Sequence, residues 1–480
     1  MTKQIDKKFC LSFKEDSHKY LDIAEHIKSL IINDEMKDGE KMPTIRALAD
    51  FLCVNKDTII SAYKKLSQEG YLYQSQGSGS YVKKRESLKN FRKEYNEIFQ
   101  SLTSGGISDY IDLTSEITSA NFFEVDKLKE IFNDVLTRDG VLALSYNDPQ
   151  GYKKLRETIN NKFWNSENLL NNMLITSGAQ QGIDIVSKAL INVNDGVVVE
   201  KPTYSGALTV FKLRKANIFE VNMQEDGIDV DALERILKKH KIKCLYTMSY
   251  FQNPTGISCS LEKKKRIIEL AKKYNFYILE DDYMSELIYD SEIKHIPYRS
   301  LNKDKVIYIK SFSKIFLPGV RVGYLITPDE FSDVLESSKA SSDISTSSLM
   351  QRALELYVQK GYWKEHIDRL NFEYSKRYKY IIDLIKEKLG HYISFVEPKG
   401  GLNLFLNIND NIDITAKELY YKLIERNTII TPGIMYYHNP VDGKKSFKIG
   451  FSEIDYNKIK QGIDNIYEVL SEGMRWWINI

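Results

Sequence analysis

Residues 39–82 read GEKMPTIRALADFLCVNKDTIISAYKKLSQEGYLYQSQGSGSYV. Thr44 is placed to cap a short helix carrying Ile45, Leu48, Ala49 and Leu52 on one face. Cys53-Val54-Asn55 breaks that helix. Asn55 can cap a second one, Lys56 to Glu69, with Ile59, Ala62, Tyr63 and Leu66 on its apolar face and Gly70 as its stop. Two extended segments, YLYQ and SYVKK, flank SQGSG, where Gly77 and Gly79 permit a tight hairpin tip. Upstream, Tyr20, Ile23, Ala24, Ile27, Leu30 and Ile31 follow helical spacing, which predicts a helix over 18–36 with Gly39 as its stop. Helix, short turn, helix and hairpin, in that order, is the grammar of a DNA-reading module whose second helix enters a major groove.

The same stretch resembles the winged helix-turn-helix of the GntR family of regulators. The resemblance rests on Thr44-Ile45-Arg46, on Asn55-Lys56-Asp57-Thr58 and on Gly77-Ser78-Gly79, and covers roughly residues 15–83. It implies DNA contacts from Arg46, Asn55, Lys56, Thr58, Tyr63, Lys64 and Gly79. Local charge agrees: residues 41–85 hold eight Lys/Arg against three acids, although the whole chain of 480 residues carries a formal charge of only +2.

Working outward, residues 84–109 have no sustained apolar face and contain Ser104-Gly105-Gly106, so they read as a linker. The four cysteines are scattered, with no CxxC or Cys/His cluster, so neither a metal site nor a disulfide framework is expected. No run of about eighteen apolar residues exists to span a membrane. The N-terminus lacks an apolar signal core, and the expected location is the cytoplasm.

Beyond the linker, short β-branched runs alternate with helical stretches: 173–176, 197–200, 244–249, 276–280 and 306–310. That alternation predicts an α/β domain with a mostly parallel sheet, whose ligand site lies beyond the carboxyl ends of the strands. The chemistry-bearing residues stand at those ends. Ser177-Gly178-Ala179-Gln180 opens a helix whose free N–H groups can hold a phosphate. Tyr204 can stack on a planar ring, and Asn253 can donate to a phenolate-like oxygen. A buried carboxylate in Glu280-Asp281-Asp282-Tyr283 could pair with a protonated pyridine nitrogen. Ser311-Phe312-Ser313-Lys314, followed by Arg321, joins two hydroxyls, a Schiff-base-forming amine and a phosphate-clamping guanidinium.

In that order, these clusters resemble the aminotransferase-type, fold-type-I PLP proteins, from about Ser145 to the C-terminus. The resemblance implies that Lys314 carries pyridoxal 5′-phosphate and that Asp281 pairs with the pyridine nitrogen. Asn253 and Tyr283 would contact the phenolic oxygen, with Tyr204 lying on the ring. Ala179, Gln180, Ser311, Ser313 and Arg321 would hold the phosphate. Tyr146 would approach that phosphate across a dimer interface.

Both halves together resemble the MocR subfamily. The implied organisation is a winged helix-turn-helix over 13–83, a linker over 84–109 and an aminotransferase-like domain over 110–480, with a smaller α/β subdomain from about 340. The resemblance further implies a head-to-tail homodimer that binds double-stranded operator DNA. It would sense PLP, an amine or an amino acid through an aldimine at Lys314. One position departs from the family. The arginine that grips a substrate carboxylate is replaced by Lys448 in Phe447-Lys448-Ile449-Gly450-Phe451-Ser452, which keeps the charge and loses the bidentate fork. The arginine that γ-aminobutyrate sensors carry after the stacking tyrosine is also absent from Tyr204-Ser205-Gly206. PLP itself is therefore the expected effector, with at most partial or slow transamination. The alternative is a working aminotransferase that carries an extra DNA-binding domain.

Overall fold

The computed structural model describes residues 7–11, 19–32, 35–37, 39–68, 71–75, 79–82, 110–145, 148–165, 167, 169–290, 293–316, 318–343 and 345–474. The chain divides into two compact units, 1–106 and 107–480. Gly70, Gly77, Ser78, Tyr146 and the linker expected over 84–109 lie outside the described residues.

The first unit holds α1 (Lys19–Ile32), α2 (Ile45–Leu52), α3 (Lys56–Gln68) and a hairpin of β1 (Leu72–Ser75) and β2 (Gly79–Val82). Thr44 caps α2 by accepting from the Ala47 N–H at 3.2 Å, and Cys53 closes it in the left-handed region at φ 52°. Asn55 accepts from the Asp57 N–H at 3.3 Å, which caps α3. Ile23, Ile27, Leu48, Ile59, Ala62 and Leu66 meet in one buried core. Full burial of each larger aliphatic side chain contributes about 1.5–3 kcal/mol. Helix α1 ends at Ile32, short of the expected 36, and Gly39 does not stop it. The Gly39 N–H instead donates to the Val82 carbonyl, and the Met42 N–H to that of Ser80, so residues 39–42 line the open edge of β2.

The second unit is built on an eight-stranded sheet. Its strands are β3 (Met173–Thr176), β4 (Gly196–Lys201), β5 (Asn217–Gln224), β6 (Gly227–Ile228), β7 (Ile242–Thr247), β8 (Tyr277–Asp282), β9 (Val306–Ser311) and β10 (Gly323–Ile326). Their spatial order is β3-β10-β9-β8-β7-β4-β5-β6. The run from β9 through β8, β7 and β4 to β5 is parallel, while β10 lies antiparallel to both of its neighbours. All described residues of β3, β9 and β10 are buried, so apolar residues follow one another in MLI of β3, VIYI of β9 and YLI of β10 rather than alternating with polar ones.

The 28-residue helix Tyr362–Leu389 leads into a second sheet. It comprises β11 (Ile393–Ser394), β12 (Asn403–Ile408), β13 (Thr431–Pro432) and β14 (Ser446–Gly450), in the order β11-β12-β14-β13, all antiparallel. Residues Ile111–Asp112 pair in parallel with Thr428–Ile429, tying the start of this unit to its C-terminal subdomain. Among the described residues, no helix is long and apolar enough to cross a membrane.

Candidate cofactor site and DNA-facing surface

Ala179, Gln180, Tyr204, Asn253, Asp281, Tyr283, Ser311, Ser313, Lys314 and Arg321 line one cleft at the carboxyl ends of the parallel strands, together with Met248. The sequence reading named all of these except Met248. Three consecutive carboxylates end β8, and the two-residue period of the strand separates their roles. Glu280 accepts from the Tyr298 and Arg299 N–H groups at 2.8 and 3.0 Å. Asp282 accepts from the Lys310 amine at 3.1 Å, the Tyr308 hydroxyl at 2.7 Å and the Ser285 N–H at 3.3 Å, and it also meets His295 at 2.7 Å. Asp281 alone points into the cleft. Its Oδ2 accepts from the Tyr246 hydroxyl at 2.7 Å, and its Oδ1 is buried with no hydrogen-bond partner. Burial pushes its carboxyl up to about 7 against the opposing pull of Tyr246.

Lys314 follows β9 on a turn, and its backbone carbonyl accepts from the Thr118 N–H at 3.0 Å. Its surroundings lower the amine's affinity for a proton, with Tyr204 and Asp281 opposing. The amine lies 5.8 Å from the centre of the Tyr283 ring. The Tyr283 hydroxyl itself donates to the Phe251 carbonyl at 2.9 Å.

One end of the cleft is the N-terminus of helix Ala179–Leu190, where Gly178 provides no side-chain cap. Gly178 has φ 110° and the Arg321 guanidinium at its face, 3.1 Å from where a Cβ would stand. Arg321 donates to the Ser313 hydroxyl at 3.4 Å, and the Ser313 N–H donates to the Ser311 hydroxyl at 3.3 Å. Gln180 Oε1 and Asn253 Oδ1 are also buried without partners. A buried polar atom left unpaired costs about 1–3 kcal/mol. The donor set fits PLP: an orphaned carboxylate oxygen for a protonated ring nitrogen, an amine for an aldehyde, and a guanidinium, hydroxyls and a helix start for a phosphate.

Sequence reading also missed a carboxylate here. Glu116 is buried, and its Oε2 accepts from Lys314 Nζ at 2.6 Å and from Asn253 Nδ2 at 2.9 Å. Its Oε1 forms an ion pair with Lys448 on β14. Lys448 is buried too, so its amine depends on the Glu116 carboxylate for its counter-charge. Lys448 is thus connected to Lys314 through a carboxylate of the chain itself.

In the first unit, Arg46, Asn55, Lys56, Lys64 and Gly79 are exposed and Thr58 is half-buried. Tyr63 corrects the sequence reading. Its ring is 2% exposed within the core, and its hydroxyl donates to the Pro43 carbonyl at 2.8 Å, so it braces α3 against the start of α2 and cannot reach DNA.

Comparison with known proteins agrees with both units. Residues 109–466 match aminotransferase class I and II, and residues 19–82 match the bacterial regulatory proteins of the gntR family. Aromatic-amino-acid aminotransferase 1 of Thermococcus litoralis is 30% identical, over 81% of this chain and 94% of its own. The HTH-type transcriptional regulator NorG of Staphylococcus aureus is 26% identical over 89% of this chain and 98% of its own. Among solved structures, the multiple substrate aminotransferase of Thermococcus profundus superposes with a TM-score of 0.74 at 27% identity, covering 80% of this chain and 96% of that one.

Proposed function

Because the chain belongs to the aminotransferase class I and II family and carries a gntR-family helix-turn-helix, the MocR arrangement, we propose that it is a PLP-responsive transcription regulator whose effector is PLP itself. The observation that carries this reading is the convergence of Lys314, Asp281, Asn253 and Arg321 on one cleft, in a chain that also presents exposed Arg46, Asn55, Lys56 and Lys64 on its helix-turn-helix.

Bound in the cleft, PLP supplies an aldehyde carbon that captures amines and a ring that withdraws electrons. The chain's own residues do the rest. Lys314 offers the attaching amine. Asp281 holds a proton at the ring nitrogen, and Tyr246 orients that carboxylate. Arg321, Ser311, Ser313 and the start of helix Ala179–Leu190 neutralise the phosphate. Filling these orphaned groups stabilises one conformation of the body and biases the DNA-binding heads through it. Two heads in a head-to-tail homodimer would read two half-sites of a cytoplasmic operator.

The similarity to the Thermococcus litoralis aminotransferase supports a second reading, a working aminotransferase with an added head. The two separate on turnover. A regulator consumes at most about one amine per site, whereas an aminotransferase converts amino donor and keto acid repeatedly. Reconstitution with PLP tests the shared premise: after free PLP is removed the wild type should retain a coloured cofactor that borohydride fixes to Lys314, and Lys314→Ala should show no such covalent attachment at this site. A wild type that remains colourless would defeat both readings.

A further inference from the structure

Residues 111–119 run as a strap between the two subdomains of the second unit. On one side, the Ile111 and Leu113 N–H groups donate to the Asn427 and Ile429 carbonyls at 2.7 and 3.0 Å, and the Gly450 N–H donates to the Leu113 carbonyl at 2.6 Å. The Ser452 hydroxyl donates to the Ser115 carbonyl at 3.2 Å. On the other side, Thr118 donates its N–H to the Lys314 carbonyl and its hydroxyl to the Ile315 carbonyl at 3.1 Å. Gly450 makes the close approach possible: a Cβ there would stand 2.0 Å from the Ser115 carbonyl oxygen. Between these two sets of bonds the strap sets the Glu116 side chain against Lys314 and Asn253, two residues that line the cleft.

Glu116 has three partners. Asn253 and Lys314 are residues that PLP would engage, through its phenolic oxygen and its aldehyde. Lys448 is then the partner that remains. A cation already paired with a buried carboxylate has little attraction left for a second one, and a ligand carboxylate placed beside Glu116 would meet a like charge in a poorly solvated setting. A cationic amine is not repelled.

On the premise that the cleft takes PLP, we propose that Glu116 fills the carboxylate seat of the site, so that the amines it admits are those with no carboxylate beside the amino group, and α-amino acids are turned away. Glu116 acts as a specificity determinant through Lys448, and the strap holds it there from both ends.

Matched pairs provide the test. PLP-loaded protein is titrated with ethylamine against L-alanine and with 2-phenylethylamine against L-phenylalanine, following the visible band and, separately, the shift in thermal unfolding. The wild type should respond to at least one amine at a concentration about tenfold or more below its amino acid. Glu116→Gln, which retains an oxygen for Asn253 and removes the charge, should narrow or invert that ratio by about tenfold, because Lys448 becomes free to take the carboxylate. Equal responses within each wild-type pair, or no response to either amine, would overturn the proposal while leaving PLP binding intact. An unchanged ratio in a folded Glu116→Gln would overturn it as well. Failure of the wild type to develop a band with PLP would instead remove the premise, and the proposal with it.

Discussion

The Tyr246 hydroxyl donates to one oxygen of Asp281 at 2.7 Å and leaves the other, Oδ1, buried and unpaired. In the cofactor-free protein this carboxylate is a cost, because its folded pKa, about 7, lies above its unfolded value. The folded state therefore binds more protons than the unfolded chain between about pH 4 and pH 7, and stability falls as pH rises through that window. Asp281→Asn should stabilise the cofactor-free protein, on the order of 2 kcal/mol at pH 8 and less at pH 6, and should abolish tight PLP binding. Thermal unfolding at the two pH values and PLP titration check both halves.

Its neighbour should behave in the opposite way. Asp282 is held well below the usual carboxylate range by Lys310 and His295, and Lys310 is itself buried with Glu286 at 2.8 Å. A depressed folded pKa contributes stability that is present above the unfolded value and lost as pH falls through the folded one. Asp282→Asn leaves Lys310 with Glu286 as its remaining counter-charge and should destabilise by about 1–3 kcal/mol at pH 7. Urea unfolding of Asp281→Asn and Asp282→Asn side by side should give shifts of opposite sign.

Two substitutions divide the helix-turn-helix into reader and scaffold. Arg46 is exposed, and Arg46→Ala should weaken DNA binding by about 1–3 kcal/mol and reduce the salt dependence by about one ion. Tyr63→Phe removes the bond to Pro43, should cost about 1 kcal/mol of stability, and should leave the salt slope unchanged. Binding isotherms over a salt series, with thermal unfolding in parallel, separate the two effects.

The two subdomains of the second unit are joined where Gly450 passes the Ser115 carbonyl. Gly450→Ala has no room for its methyl group, so the strap must move. The expected result is a loss of about 1–3 kcal/mol in stability together with weaker PLP binding, since the same strap anchors the Lys314 turn through Thr118. Unaltered PLP affinity in that variant would show that the strap and the Lys314 turn are independent.

Much of this site was legible because its residues sit where local rules place them. Strand β3 occupies the four residues its apolar run suggested, and β4, β7, β8 and β9 differ from their runs by one or two residues at the ends. The two-residue period singles out Asp281 between Glu280 and Asp282. Tyr63 was legible as well: its spacing with Ile59 and Leu66 puts it on the core face, and that periodicity prevails over the DNA contact suggested by resemblance. Strand β5 was not legible, because NIFEVNMQ mixes half-buried and exposed positions without a clean alternation. Nor was Glu116. It stands 198 residues from Lys314, in a segment without a motif of its own, and only the crossing of the strap with β14 gives it a role.

The most direct measurement is the affinity of the intact protein for DNA from its own upstream region, at one fixed salt concentration, without and with PLP, for the wild type and for Lys314→Ala. PLP should change the affinity of the wild type by about tenfold or more and leave that of Lys314→Ala unchanged. Equal wild-type affinity in both conditions would contradict that expectation, as would a variant lacking the amine that responds as the wild type does.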